Sequence, residues 1–431
     1  MAISRRLQGR IMLVALLGVA ACGAPDGPAD DSVVEVWAHS GQEAERAVLE
    51  AQVDRFNSAH APLSVELTLI PEGSYDEQVQ SAALAGDLPD VLELDGPFVA
   101  AYAWRGHLRP LGPLMPDSLL SDLLPSIVEQ GRYQGDLWAL GTYDSGLGLF
   151  ARRSALEAAG IPVPSSPAEA WSADDLDTWM TRLAESDEDG AVLDLHLNYP
   201  GEWYTYAFAP AIRSAGGALL DVGIPRATGV LDSPASVRAM THVQRWIVDG
   251  RVDPNVDDAA FVEGRVALSW SGHWDFARYR EAWGDDVVAL PLPDFGGGTR
   301  TGQGSWVWAV TSGASDPEAS AAWIRFLLAT PEVEAMASAN AAVPARGAVA
   351  VASPLYGPDG PLRILLEQLE DGFAVPRPRT PAYPIVTSAF QEAFDAVRSG
   401  RNVGDALASA AEIVDQEIED NRGYPATTGS R

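Results

Sequence analysis

The chain has no lysine; its 29 basic residues are all arginine. That excludes a phosphate loop ending in lysine, a Schiff-base lysine and a Ser-x-x-Lys nucleophile pair. Cysteine occurs once, as Cys22, so no disulfide can form within the chain. Histidine is scarce too: His39, His60, His107, His196, His242 and His273 are the only six, and none sits in a His-Glu-x-x-His motif. His39 and Glu43 have helix-compatible spacing but no third ligand in view. No Gly-x-Ser-x-Gly elbow occurs, and the glycines at 296–304 lack dinucleotide-binding spacing, so neither a metal nor a cofactor is expected. Positive charge is in short supply: 60 acidic residues against 29 basic leave a net charge of −31. Such a balance argues against nucleic acid and anionic membrane surfaces as partners.

Long apolar runs are missing as well. Arg5, Arg6 and Arg10 precede an apolar run from Ile11 to Ala21, too short to span a bilayer and read as a signal peptide over 1–21. Val19-Ala20-Ala21-Cys22 resembles a bacterial lipobox, which implies lipidation of Cys22 and attachment of an exported protein at the outer face of the cytoplasmic membrane, in a periplasm or at a cell surface. Residues 22–32, rich in Pro, Asp, Gly and Ala, read as a tether. The remainder of the 431-residue chain is too long for one compact core, so two domains are the default.

What is present alternates strand and helix. Val33 to Trp37 reads as a first strand, Gln42 to Ala59 as a helix through Leu49, Val53 and Phe56, and Leu63 to Leu69 as a half-buried strand of period two. A helix from Tyr75 to Ala85 and a strand from Val91 to Asp95 follow, which argues for βαβ units and a mostly parallel sheet. Ser172 with Asp175 reads as a capping box, and Ser233-Pro234 as an N-cap followed by proline at the first helical position. Strands are expected over Val266–Trp270, Val287–Leu292 and Trp306–Val310, and helices over Pro317–Ala329 and Asn402–Ile418.

The order of these segments resembles the extracellular solute-binding proteins of ABC importers, in the sugar-binding class that includes maltose-binding protein. The resemblance is carried by Val36-Trp37; by Ala83 to Asp95; by Gly146 to Phe150 followed by Leu156-Glu-Ala-Ala-Gly-Ile-Pro; by Phe261 to Leu268 with Ser271-Gly-His-Trp274; and by Gly304 to Val310 before the Pro317 helix. Phe150-Ala-Arg-Arg153 departs from the family's usual Tyr-Asn pair. The resemblance implies an α/β, two-lobe periplasmic-binding-protein fold with discontinuous lobes and a multi-strand hinge. The expected N-terminal lobe is 33–142 with 289–342, and the C-terminal lobe 143–288 with 343–420, followed by a flexible tail over 421–431. Interlobe crossings are expected near 141–147, 284–290 and 340–346. It implies a non-enzymatic monomer that hands a carbohydrate ligand to the membrane subunits of an ABC permease.

Ligands on open α/β sheets bind outside the carboxyl ends of strands. His39, Ser40, Gln42, Glu43 and Asp95 lie there, and Asp95 offers a carboxylate to sugar hydroxyls. Glu202-Trp203-Tyr204-Thr205-Tyr206 reads as a polar loop; the resemblance assigns Glu202 and Tyr204 to the sugar, with Trp203 beside them, and Trp274 as a stacking ring. Trp306 and Gly304 lie in the strand-like segment after the glycine-rich turn, and Tyr143 and Asp144 at the first crossing. Arg377, Arg379 and Tyr383 occupy a proline-rich stretch that the family often places at the cleft rim, where Arg379 forms either a ligand contact or an interlobe ion pair. Two other readings stay open. One is a cationic solute such as a polyamine, with Asp95, Asp144 and Glu202 as counter-charges. The other is an exported glycoside hydrolase, which needs two opposed carboxylates.

Overall fold

A computed structural model describes residues 33–199 and 201–426. The signal segment, Cys22 and the tether lie outside these residues. Val33–His39 points Val34, Val36 and Ala38 inward at period two, against Leu49 and Phe56 of the helix Glu43–His60. This strand pairs in parallel with Ser64–Ile70 on one side and Val91–Asp95 on the other. Trp306–Val310 then adds antiparallel to Val91–Asp95 and to Ala139–Leu140, completing a five-stranded sheet. A late strand in the middle of an early sheet makes this lobe discontinuous.

The second sheet runs in the order Val287–Leu290, Leu147–Arg152, Leu268–Gly272, Leu193–Asp194. Leu147–Arg152 is antiparallel to both neighbours and leads directly into the helix Arg153–Ala158, so the Phe150–Arg153 departure is an ordinary strand-to-helix junction. Helices Glu202–Ser214, Pro234–Val248, Tyr383–Arg398 and Val403–Asp420 cover this sheet around the fully buried Trp246, Trp270 and Phe208. The expected caps form: Ser172 and Asp175 make a reciprocal capping box, and Ser233 accepts from the Ser236 amide. No helix among the described residues is long and apolar enough to cross a membrane.

Three segments cross between the lobes. Tyr143–Asp144 pairs antiparallel with Val343–Pro344, which sets the first and third crossings side by side. The second lies at 303–305, not near 284–290. Val287–Leu290 pairs along its whole length with Leu149–Arg152, which keeps it in the second lobe, so a boundary at 289 would cut a strand. Thr301–Gln303 also stays with the second lobe, paired to Ala374–Pro376 and tied by Thr301 Oγ1 to the Leu147 carbonyl at 2.7 Å. Only at Ser305, which accepts from the Gly96 amide at 3.0 Å, does the chain join the first lobe.

Of the tail expected over 421–431, the described part, 421–426, packs against the first lobe. Tyr424 packs edge-on against Trp104 with ring centroids 4.9 Å apart, and the Trp104 indole donates to the Pro425 carbonyl at 3.0 Å. The last helix thereby reaches back to the first lobe.

One glycine of the first lobe is fixed by backbone proximity. A Cβ on Gly131 would lie 1.8 Å from the Ala139 carbonyl oxygen, where only backbone can give way. Gly131→Ala is expected to cost about 1–3 kcal/mol, read as a lowered midpoint in urea unfolding; an unchanged midpoint would show that the 131–139 approach is looser than described.

Candidate ligand-binding cleft

Strand ends of the first lobe supply one wall. His39 ends the first strand, and its Nδ1 lies 2.7 Å from Glu93. Burial pulls the imidazole pKa down, but the Glu93 carboxylate outweighs this and raises it to about 9. The His39 ring stacks on Trp306 at 3.9 Å, nearly parallel, which leaves Trp306 half-buried with Tyr75 at its edge. Engaged in this way, His39 and Glu43 do not assemble a metal pair. Ser40 donates its amide to the Ile70 carbonyl, and Glu43 is exposed on the first helical turn. Gln42 spans the cleft, donating from Nε2 to the Trp274 carbonyl at 3.0 Å.

Arg377 joins the lobes. Its two terminal nitrogens bind both carboxylate oxygens of Asp95 at 2.7 Å, and one of them also donates to Glu202. Asp95 ends a strand of the first lobe and Glu202 begins a helix of the second. The Tyr383 hydroxyl donates to the same Glu202 oxygen. Burial pushes the Glu202 carboxyl up, opposed by Arg377, and the Arg377 guanidinium is held charged against burial by Asp95. The expected interlobe ion pair is therefore made by Arg377; Arg379 instead donates to the Glu129 carbonyl at 2.6 Å with its carboxylate at 3.4 Å.

Glu202–Ser214 is a helix, not a loop, and its register sorts the aromatic residues. Trp203, Tyr206 and Pro210 share one face at three- and four-residue steps. Tyr204 falls on the opposite side, 1% exposed, stacked on Phe394 at 4.4 Å with its hydroxyl on the Leu197 carbonyl. Tyr204 is thus a core residue, and the ring facing the cleft belongs to Tyr206. The Arg377 guanidinium sits 4.7 Å over the Tyr206 ring, and the Tyr206 hydroxyl is buried with no partner among the described residues. Trp274 lies 6.3 Å from Tyr206 and 6.0 Å from Trp203, whose indole is spent on the Leu195 carbonyl. Its ring covers Gly272 so closely that a Cβ there would come within 2.2 Å.

Tyr143 and Asp144 sit at the pivot rather than on an open wall. Tyr143 is buried and donates to Glu45 at 3.0 Å. Asp144 is fully buried; it accepts from the Ser145 amide at 2.8 Å and the Gly304 amide at 3.2 Å, while its second oxygen has no partner. Gly304 adopts φ +107°, a backbone state that favours glycine, beside Arg377.

Beyond Arg377 opens a cavity of about 660 Å³ between the lobes. One side is the hairpin Arg132–Leu137, whose turn residues Gln134 and Gly135 both have positive φ, as a tight two-residue hairpin turn requires. It presents Arg132 and Tyr133; the facing side presents Tyr206, Pro210 and Arg213, and Pro376 to Arg379 close the end. A volume of this size, with aromatic and apolar surfaces beside several charged side chains, suits a small-molecule ligand. By resemblance Arg377 falls at the cleft rim, whereas Tyr206 is not singled out, since Glu202 to Tyr206 reads as a polar loop in which no face distinguishes it from Tyr204.

The geometry defines two lobes that meet at a cleft, and comparison with known proteins gives this architecture a family. The sequence profile of the bacterial extracellular solute-binding proteins matches residues 51–357. The chain belongs to that family. A maltotriose-binding protein of Pyrococcus abyssi is 22% identical over 311 residues, covering 70% of this chain and 63% of the relative. A lipoprotein of Streptomyces antibioticus is 27% identical over 165 residues, 37% of this chain and 36% of its own length. The chain thus spans less than two thirds of either curated relative. Among solved structures, the GacH receptor of Streptomyces glaucescens, determined unliganded and with acarbose, superposes with a TM-score of 0.75 at 24% identity, over 91% of this chain and 99% of that one. The maltose/maltodextrin-binding domain of Bdellovibrio bacteriovorus bound to maltotriose gives 0.74 at 19% identity, over 90% and 100%. The two-lobe periplasmic-binding-protein fold is the one these structures share.

Asp76 lies in the field of the Asp95, Arg377 and Glu202 cluster. Burial, together with Asp95, Glu202 and Glu72 and against Arg377, pushes Asp76 up from 3.8 to about 7. Because the folded state holds this proton more tightly than the unfolded chain, the stabilising contribution is complete below about pH 4 and lost as pH rises through about 7. Asp76→Asn should therefore melt above the wild type near pH 8 and with it near pH 4, measured by calorimetry. Equal melting at both pH values would remove Asp76 from this field.

Proposed function

We propose that this protein captures a sugar or short oligosaccharide between its lobes and delivers it to an ABC permease, held to the membrane through lipid on Cys22. The carrying observation is the interlobe cavity of about 660 Å³ walled by Tyr133 and Tyr206 and closed at its inner end by Arg377. Flat rings accept the C–H face of a pyranose, and the polar groups around them take its hydroxyls. The relatives that bind maltotriose, acarbose and maltodextrins support this ligand class, and the lipoprotein relative supports the anchor. Ligand touching both lobes binds the closed arrangement better and shifts the population toward it, which the permease then reads. The reaction is capture and release, with no bond broken.

The polyamine reading loses its counter-charges: Asp95 and Glu202 are engaged by Arg377, and Asp144 accepts from two backbone amides. Micromolar capture, on the order of −8 kcal/mol, is within reach of a few stacked rings and hydrogen bonds in a preformed cleft. The test is thermal unfolding of the purified protein against mono-, di- and trisaccharides, with polyamines alongside. A sugar at a hundred times its Kd should add about 2.7 kcal/mol of stability. A shift with polyamines alone would discard the sugar and keep transport. Tyr206→Ala should weaken sugar binding roughly thirtyfold, about 2 kcal/mol, by isothermal titration; unchanged affinity would take Tyr206 out of the site.

A further inference from the structure

We infer that the saccharide carries an anionic group, a carboxylate or an ester of sulfuric or phosphoric acid, received by Arg132, Arg213 and Arg379. The inference rests on the sugar reading above and sharpens its ligand. Among the described residues four arginines line the cavity, and Glu129 is the one carboxylate in its lining. Arg377 is already neutralised by Asp95 and Glu202. The other three are not. Arg132 lies 3.3 Å and Arg379 3.4 Å from the same Glu129, so two guanidinia share one carboxylate. Arg213 reaches only the Gly217 carbonyl, at 3.2 Å, and has no carboxylate in salt-bridge range among the described residues.

This imbalance runs against the whole chain, which holds 60 acidic residues to 29 basic. Elsewhere the excess acid is used freely: Arg265 alone is set among Asp253, Asp257 and Glu263. A local surplus of positive charge on a concave surface raises the potential there and attracts an anion. Guanidinium groups present paired donors that match the oxygens of a carboxylate or sulfate. A neutral sugar in this cavity would leave two of these three positive charges without a carboxylate partner. An anionic substituent supplies the missing partner, while the ring between Tyr133 and Tyr206 keeps its stacking surface.

The test is isothermal titration of the purified protein with neutral di- and trisaccharides, each beside its uronate, sulfate-ester and phosphate-ester counterparts, at low and at raised NaCl. An acidic counterpart should bind at least roughly tenfold tighter than its neutral parent, and salt should shrink that advantage. Arg213→Gln, a change at an exposed side chain whose melting temperature serves as the folding control, should bring the ratio of acidic to neutral affinity down toward one. Preference for the uronate assigns a carboxylate, and preference for an ester assigns that ester. Neutral sugars binding as well as the acidic ones, or an advantage untouched in Arg213→Gln, would overturn the inference and leave the sugar reading standing. Binding by no saccharide of either kind would overturn both.

Discussion

A buried guanidinium needs carboxylates around it, because an unpaired cation in a protein interior is strongly unfavourable. Arg377 finds them on two different lobes: Asp95 at the end of a strand in the first, Glu202 at the start of a helix in the second. Charge balance and lobe position are therefore one problem in this protein. If the lobes separate, Asp95 leaves, and the remaining cation must find water or ligand oxygen. With the cation gone, Asp95 and Glu202 face each other, with Asp76 already under their field.

The surroundings are arranged about this contact. Tyr206 lies flat beneath the guanidinium, Tyr383 holds the Glu202 carboxylate, and Gly304 passes close by at the second crossing. The pivot is equally local: Asp144 on the first crossing accepts from the amide of Gly304 on the second, and its neighbour Tyr143 pairs with Pro344 on the third. A small rotation about these three segments moves the strand ends of one lobe relative to the aromatic face of the other. Under the proposed sugar capture, ligand contacts on both sides would bias such a rotation.

Much of this was legible in the order of residues. The period-two strand at Val33 and the Ser172 capping box announce themselves because each depends on neighbours in sequence. What failed depends on distant ones. Val287–Leu290 is a short apolar strand that reads the same in either sheet, and only its pairing with Leu149–Arg152 places it. Tyr204 and Tyr206 look equivalent in a loop; the helix Glu202–Ser214 turns them to opposite sides. In Pro376-Arg377-Pro378-Arg379 no periodicity says which guanidinium is buried, since the deciding carboxylate of Asp95 lies 282 residues away.

The most direct measurement is small-angle X-ray scattering of the ligand-free protein beside Arg377→Met, which keeps the side-chain length and removes the cation. If the Arg377 bridge favours the closed arrangement, the ligand-free variant should show a larger radius of gyration than the ligand-free wild type, with its far-ultraviolet circular dichroism unchanged, and saturating ligand should contract the wild type further. Identical scattering from both proteins would mean that the lobes are positioned by other contacts, and that the bridge merely occupies a closure made elsewhere.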